Sequence, residues 1–172
     1  YTCSDLFTQD VLLDHAREVL TEIAAHTRDM DALVFVGAPL AVDGELYNVA
    51  AAMNHGKILG LTTKTFLPNY GEFYEMRQFR EGPEKAREIE FDGEMVPFGP
   101  KILFTAKQME HLIVAAEICE DVWSPVPPSI EAVREGATVI VNCSASDETI
   151  GKATYRESLI EGQSARLIAG YI

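Results

Sequence analysis

The amino-acid sequence predicts an α/β fold whose strands run in mixed directions. Apolar runs of strand length alternate with stretches of helical spacing, the pattern of sheets covered by helices. Two of the runs are joined by only four residues, enough for a hairpin and too few for a parallel crossover. Hydrophobic residues make up 47% of the 172, which supplies a substantial core and excludes a disordered chain.

Taken in order, the first element is an amphipathic helix within Val11 to Met30. Its apolar positions are Val11, Leu12, Ala16, Val19, Leu20, Ile23 and Ala24, one face of a 3.6-residue period. Ala32 to Gly37 reads as a buried strand, ended by Gly37 and Pro39. Leu46 to Met53 and Ile58 to Thr63 form the hairpin, turning at Asn54-His55-Gly56-Lys57. Lys64 to Phe79 fits no period. It carries Phe66, Tyr70, Phe73, Tyr74 and Phe79 among Pro68, Asn69 and Gly71, and reads as a structured loop of the kind that lines sites. Glu84 to Gly93 is polar and reads as exposed. Ile102 to Phe104 is a short strand.

His111 to Cys119 is a longer apolar run, a buried strand that carries a thiol to its C-terminal end, where α/β folds place their sites. Pro125 to Ser129 is a rigid turn, and Ser129 is expected to cap a short helix through Glu135 that Gly136 ends. Thr138 to Asn142 is a buried strand and Tyr155 to Leu167 a helix. The stretch Leu167 to Ile172 reads as an uncompleted strand. With Tyr1 in place of an initiator Met, the chain reads as one incomplete domain over residues 1–172, truncated at both ends.

The formal charge of −13 and a pI near 4.6 argue against nucleic acid and anionic membrane as partners. Cys3, Cys119 and Cys143 are odd in number and far apart. They suggest neither a disulfide framework nor a zinc site, and a reducing, cytoplasmic setting is expected. His15, His26, His55 and His111 show no metal-ligand spacing. Gly151-Lys152-Ala153 departs from a phosphate loop twice, with Ser146 where Gly is needed and Ala153 where Ser or Thr is needed.

Cys119 is followed at once by Glu120 and Asp121. Carboxylates beside a thiol oppose its ionisation, so chemistry at Cys119 demands a cation. Lys64, where a strand gives way to the aromatic loop, is the leading candidate. An ammonium there favours thiolate and stabilises charge developing on a carbonyl oxygen. A supporting carboxylate could be Glu75 or Glu72; the residues alone do not choose. The alternative for Cys119 is a small core hydrophobe, since free cysteine is often buried. Cys143, at the end of a strand, reads as buried rather than catalytic.

These segments resemble a known family. Lys64-Thr65-Phe66-Leu67-Pro68-Asn69-Tyr70 through Phe79 is similar to the lysine motif of the nitrilase superfamily. More narrowly, it resembles the glutaminase domain of glutamine-dependent NAD synthetases. Tyr1 to Phe7, Val96 to Pro100, Glu117 to Trp123 and Asn142 to Lys152 resemble the same domain in the same order. The Leu-Pro-Asn-Tyr and Glu-Asp-Val-Trp strings point to the synthetase branch.

The resemblance implies a nitrilase-like four-layer α-β-β-α sandwich. It implies Cys119 as nucleophile, Lys64 as the cation beside the oxyanion and Glu75 as the supporting glutamate. The general-base glutamate belongs to a motif that ends just before Tyr1, so these 172 residues are expected to be nearly inactive by themselves. It also implies a glutamine pocket formed by Tyr1, Tyr70, Phe73, Glu120, Trp123 and Ser146, with Lys152 ranked lower. Glu120 would read the substrate's α-ammonium. No cofactor is expected in this domain. A C-terminal synthetase domain would use ATP and Mg2+ to amidate nicotinic acid adenine dinucleotide, and the whole would form a homo-oligomer. The rival expectations are a stand-alone carbon–nitrogen hydrolase of a small amide and a non-catalytic interaction module.

Overall fold

A computed structural model describes residues 3–172. In chain order its elements are α1 (Asp10–His26), β1 (Val34–Val42), β2 (Glu45–Asn54), β3 (Lys57–Thr63), β4 (Arg87–Phe91), β5 (Glu94–Gly99), β6 (Leu103–Ala106), β7 (Met109–Glu117), α2 (Pro128–Arg134), β8 (Val139–Asn142), α3 (Lys152–Leu167) and β9 (Gly170–Tyr171). One sheet has the order β1-β2-β3-β5-β4 and the other β6-β7-β8-β9. Both are mixed: β3 pairs parallel with β5, and β7, β8 and β9 run parallel beside the antiparallel β6.

Three apolar layers separate four structural ones. Leu20 and Ala24 of α1 pack with Val49, Ala51, Met53 and Leu61 on the outer face of the first sheet. Between the sheets, Ala50 meets Ala116, Ile118 and Cys119, while Ala52 meets Ile102, Phe104 and Val114. On the far side, Ala115 and Ile140 pack with Ala132 of α2 and Leu167 of α3. The order is therefore α-β-β-α, as expected. β2 is buried on both faces, which is why its sequence is a nearly continuous apolar run. Its alanines let the facing sheet approach.

The expected hairpin forms between β2 and β3. His55 and Gly56 both have positive φ, the geometry of a two-residue hairpin turn. Four readings of the sequence are corrected. β1 does not end at Gly37 but runs through Pro39 to Val42; it is an edge strand, where a proline's missing N–H costs no ladder bond. The polar stretch before Gly93 is the β4–β5 hairpin, turning on Asp92–Gly93 with positive φ at both, and it buries Ile89 and Phe91. Ser129 is not the cap of α2, which begins at Pro128 after Pro127; Ser129 is buried inside it. α3 starts at Lys152, three residues before Tyr155. Smaller shifts occur elsewhere: β7 stops at Glu117, and the chain end forms only the two-residue β9, paired to β8.

Candidate active site

The site is built where β3 leaves the first sheet and β7 and β8 leave the second. β3 delivers Lys64, whose N–H donates to Asn48 O at 2.9 Å and whose carbonyl accepts from Gly82 N–H at 2.9 Å. The Lys64 ammonium is 1% exposed and is paired with the Glu75 carboxylate, itself 5% exposed. Glu75 sits in a short turn over Glu75–Arg77, and its second oxygen accepts from Asn48 Nδ2 at 2.8 Å. A buried ammonium needs such a partner, because removing either charge strands the other.

Cys119 opens a five-residue 3-10 turn two residues beyond β7, with φ +46°. It packs with Ala50, Ala116 and Ile118 and against Cys143. Its N–H donates to Asn142 Oδ1 at 2.9 Å. Cys143 is half-buried, and burial pushes its thiol up from the ordinary value.

Asp121 joins the two arms. Its Oδ1 accepts N–H bonds from Thr65 at 3.1 Å and Phe66 at 2.8 Å, just past Lys64. Its Oδ2 accepts from Ile118 N–H at 2.8 Å, just before Cys119. Burial pushes the carboxyl up to about 7 against the pull of the N–H groups of Ile118 and Phe66.

Cys119 stands in the wall of two cavities. The larger, about 640 Å³, also meets Lys64, Glu75, Asn48, Glu72 and Cys143. The smaller, about 240 Å³, is enclosed by Pro68, Tyr70, Glu72, Phe73, Glu120, Trp123, Ser146 and Lys152. Around it, Tyr70 Oη lies 2.9 Å from both oxygens of Glu120. Desolvation, then the Glu120 carboxylate, push Tyr70 up to about 12, so its hydroxyl keeps the proton and donates. The Lys152 ammonium lies 5.8 Å from the Phe73 ring centre and 5.7 Å from that of Trp123, and is paired with Asp147. That ammonium holds the Asp147 carboxyl below its usual range. Arg156 braces the same loop through Asp147 O at 2.8 Å, Ser146 Oγ at 3.4 Å and the Glu148 carboxylate. The wall is thus largely aromatic, with the carboxylates of Glu72 and Glu120 and the ammonium of Lys152 among its lining groups.

Residues 4–168 match the carbon-nitrogen hydrolase family. The chain belongs to that family. Glutamine-dependent NAD(+) synthetases are among its relatives. That of Mycobacterium tuberculosis is 40% identical over 100% of this chain and 25% of its own length, and that of Aquifex aeolicus is 34% identical over 95% and 25%. The chain therefore spans about a quarter of the length of the curated relatives it matches. A crystal structure of the Cytophaga hutchinsonii glutamine-dependent NAD(+) synthetase superimposes with a TM-score of 0.86 at 32% identity, over 99% of this chain and 27% of that one. A Saccharomyces cerevisiae Nit3 structure, from branch 10 of the nitrilase superfamily, gives 0.59 at 16% identity over 90% of this chain and 48% of that one, a likeness of fold.

Within this carbon-nitrogen hydrolase chain, the structure chooses Glu75 over Glu72 as the partner of Lys64, a choice the residues alone leave open. It brings Tyr70, Phe73, Glu120, Trp123, Ser146 and Lys152 to one cavity with Cys119. Tyr1 lies outside the described residues. Sequence reasoning does not single out Asn48, Asp121, Glu117, Asn142 or Tyr171. Asp121 carries a signal in hindsight: a carboxylate that follows a buried apolar run must have donors of its own. The side-chain partners of Asn48 and Tyr171 lie 27 or more residues away, and no local pattern announces them. Among the described residues no group of three or more His, Cys, Asp or Glu side chains is placed to hold a metal ion, and no helix is long and apolar enough to cross a membrane.

Proposed function

We propose that this chain is the glutaminase part of a glutamine-dependent NAD synthetase. The observation that carries the reading is the position of Cys119 between two differently furnished spaces. One presents the paired Lys64 and Glu75. The other has aromatic walls, a carboxylate at Glu120 and an ammonium at Lys152, a complement to the zwitterionic head and methylenes of an amino acid. Tyr70, Phe73, Trp123 and Ser146 line the pocket in this reading, and the resemblance adds Tyr1 to the residues that recognise glutamine.

In the reaction, Cys119 Sγ adds to the side-chain amide carbon of glutamine. Lys64 Nζ faces the charge that develops on the amide oxygen, where a preorganised cation lowers the barrier. Glu75 and Asn48 keep that ammonium in place. The carbon–nitrogen bond breaks, nitrogen leaves with an added proton as ammonia, and a thioester remains. Water then attacks the thioester, releasing glutamate and restoring the thiol. The proton transfers need a carboxylate base, which the resemblance puts in the segment before Tyr1. The ammonia would pass to a synthetase domain that uses ATP and Mg2+ to amidate nicotinic acid adenine dinucleotide. Homo-oligomeric assembly and a cytoplasmic setting complete the proposal.

Cys119→Ala in the full-length enzyme is the test. Glutamine-driven NAD formation should disappear while formation driven by added ammonia persists. Loss of both would make Cys119 a structural residue and overturn the reading. A glutamine-mimicking diazoketone should add its mass to the Cys119 peptide; an adduct on Cys143 alone would be equally damaging.

A further inference from the structure

Behind the Cys119 turn lies a chain of buried and half-buried polar groups that the reaction above does not use. Cys119 holds φ +46°, a left-handed backbone that costs an ordinary residue free energy and persists only where surroundings enforce it. That conformation directs the Cα–Cβ bond and so determines where Sγ stands between the two cavities. The N–H at this position donates to Asn142 Oδ1 at 2.9 Å. Asn142 ends β8 and lies opposite Glu117 in the parallel register with β7. Asn142 Nδ2 donates to the Tyr171 hydroxyl oxygen at 3.1 Å, and the Tyr171 hydroxyl donates to Glu117 Oε1. Glu117 is 1% exposed, and its Oε2 accepts from Ser129 N–H at 2.9 Å.

The direction of this chain follows from its chemistry. Burial, then the Glu117 charge, hold the Tyr171 hydroxyl far above its usual range, so it keeps its proton and donates a hydrogen bond to the carboxylate. A carboxylate accepts and does not donate. The Tyr171 oxygen is then an acceptor, and only the NH2 of Asn142 can supply it. The amide is left with its oxygen towards Cys119. Glu117 thus determines, through Tyr171, which atom of Asn142 meets the nucleophile's backbone.

We infer that Asn142 is a positioning residue for the glutaminase reaction. Its amide, oriented by Tyr171 and Glu117, holds the left-handed backbone that aims Cys119 Sγ at the substrate's amide carbon. The inference rests on the glutaminase reading. A buried polar chain is costly unless every member is satisfied, and here each member satisfies the next and the last satisfies the nucleophile.

The experiment uses full-length enzyme with Asn142→Ala, Tyr171→Phe and Cys119→Ala. Four quantities are measured: glutamine-driven kcat and KM, ammonia-driven NAD formation, the rate of Cys119 adduct formation with a glutamine-mimicking diazoketone, and that with iodoacetamide. The diazoketone reacts from the pocket and needs an aimed thiol; iodoacetamide does not. Asn142→Ala should lower glutamine-driven kcat and the diazoketone rate by on the order of 10²-fold, the scale of a misplacement near 1 Å. KM, ammonia-driven formation and the iodoacetamide rate should stay within about threefold, the pattern of a lost transition-state alignment. Tyr171→Phe should move the same quantities by about tenfold, since Asn142 keeps its oxygen but loses what orients it. If Asn142→Ala also loses ammonia-driven formation through misfolding, Tyr171→Phe decides. Unchanged glutamine-driven kcat in Tyr171→Phe, or a parallel fall of ammonia-driven formation and the iodoacetamide rate, overturns the inference. Glutamine-driven turnover surviving in Cys119→Ala overturns the glutaminase reading itself, and the inference with it.

Discussion

At the scale of single residues, the site is governed by what each buried charge is given as a partner. Glu120 and Asp121 are neighbours in sequence with opposite environments. Glu120 faces the smaller cavity and accepts from Tyr70. Asp121 is 1% exposed and accepts three backbone N–H bonds that tie the Lys64 arm to the Cys119 arm. Its carboxyl, pushed up to about 7 by burial, has a consequence for stability. A carboxyl that holds its proton more tightly folded than unfolded favours the fold at low pH. Its contribution falls as pH rises from about 4 to about 7 and is level above, on a scale of roughly 4 kcal/mol. Asp121→Asn removes the titration. The unfolding temperature of wild type should therefore fall more between pH 5 and pH 8 than that of Asp121→Asn. Equal pH slopes would show that Asp121 does not titrate in this window. The candidate pair was legible in sequence because Cys119 follows an apolar run and Lys64 opens an aromatic loop. The clamp between them was not, because its hydrogen bonds join residues more than fifty positions apart.

At the scale of elements, the strands were easier to read than their ends. The β2–β3 hairpin announces itself through His-Gly between apolar runs. The β4–β5 hairpin carries a similar Asp-Gly turn, but the charges of Arg87, Glu88 and Glu90 mask a two-residue alternation that buries Ile89 and Phe91. β1 passes through Pro39 because, among the described residues, no strand lies on its other side. The exit of β3 is more exacting. A Cβ on Gly82 would stand 2.1 Å from Thr63 Oγ1 and 3.3 Å from the Lys64 carbonyl that Gly82 N–H also bonds. Gly82→Ala must move the strand end that carries Lys64, at a cost of about 1–3 kcal/mol. Glutamine-driven turnover should fall further than the melting temperature alone explains, with ammonia-driven turnover as the control. Unchanged turnover would show that the Gly82 segment yields instead of β3.

At the scale of the molecule, the candidate site draws on both sheets, with Lys64 at the exit of β3 and Cys119 beyond the end of β7. General acid–base catalysis contributes about 10²–10⁴-fold, and the resemblance puts the base glutamate before Tyr1. A polypeptide of residues 1–172 should accordingly hydrolyse glutamine slower than the full-length enzyme by about that factor. Ammonia release by both, compared at equal concentration, is the check; equal rates would mean that a carboxylate within these residues serves as base. The sequence by itself determined the α/β class, the Cys119 and Lys64 motifs and the family resemblance, because these reside in local runs, turns and short strings. Only the tertiary structure decided that Asp121 joins the two arms and that Asn142, Tyr171 and Glu117 stand behind Cys119; it also pairs Lys64 with Glu75, which the resemblance favours and the residues alone leave open against Glu72. The reason is physical: a buried charge or amide is satisfied by whatever the packed sheets bring within about 3 Å. Separation along the chain does not constrain that choice.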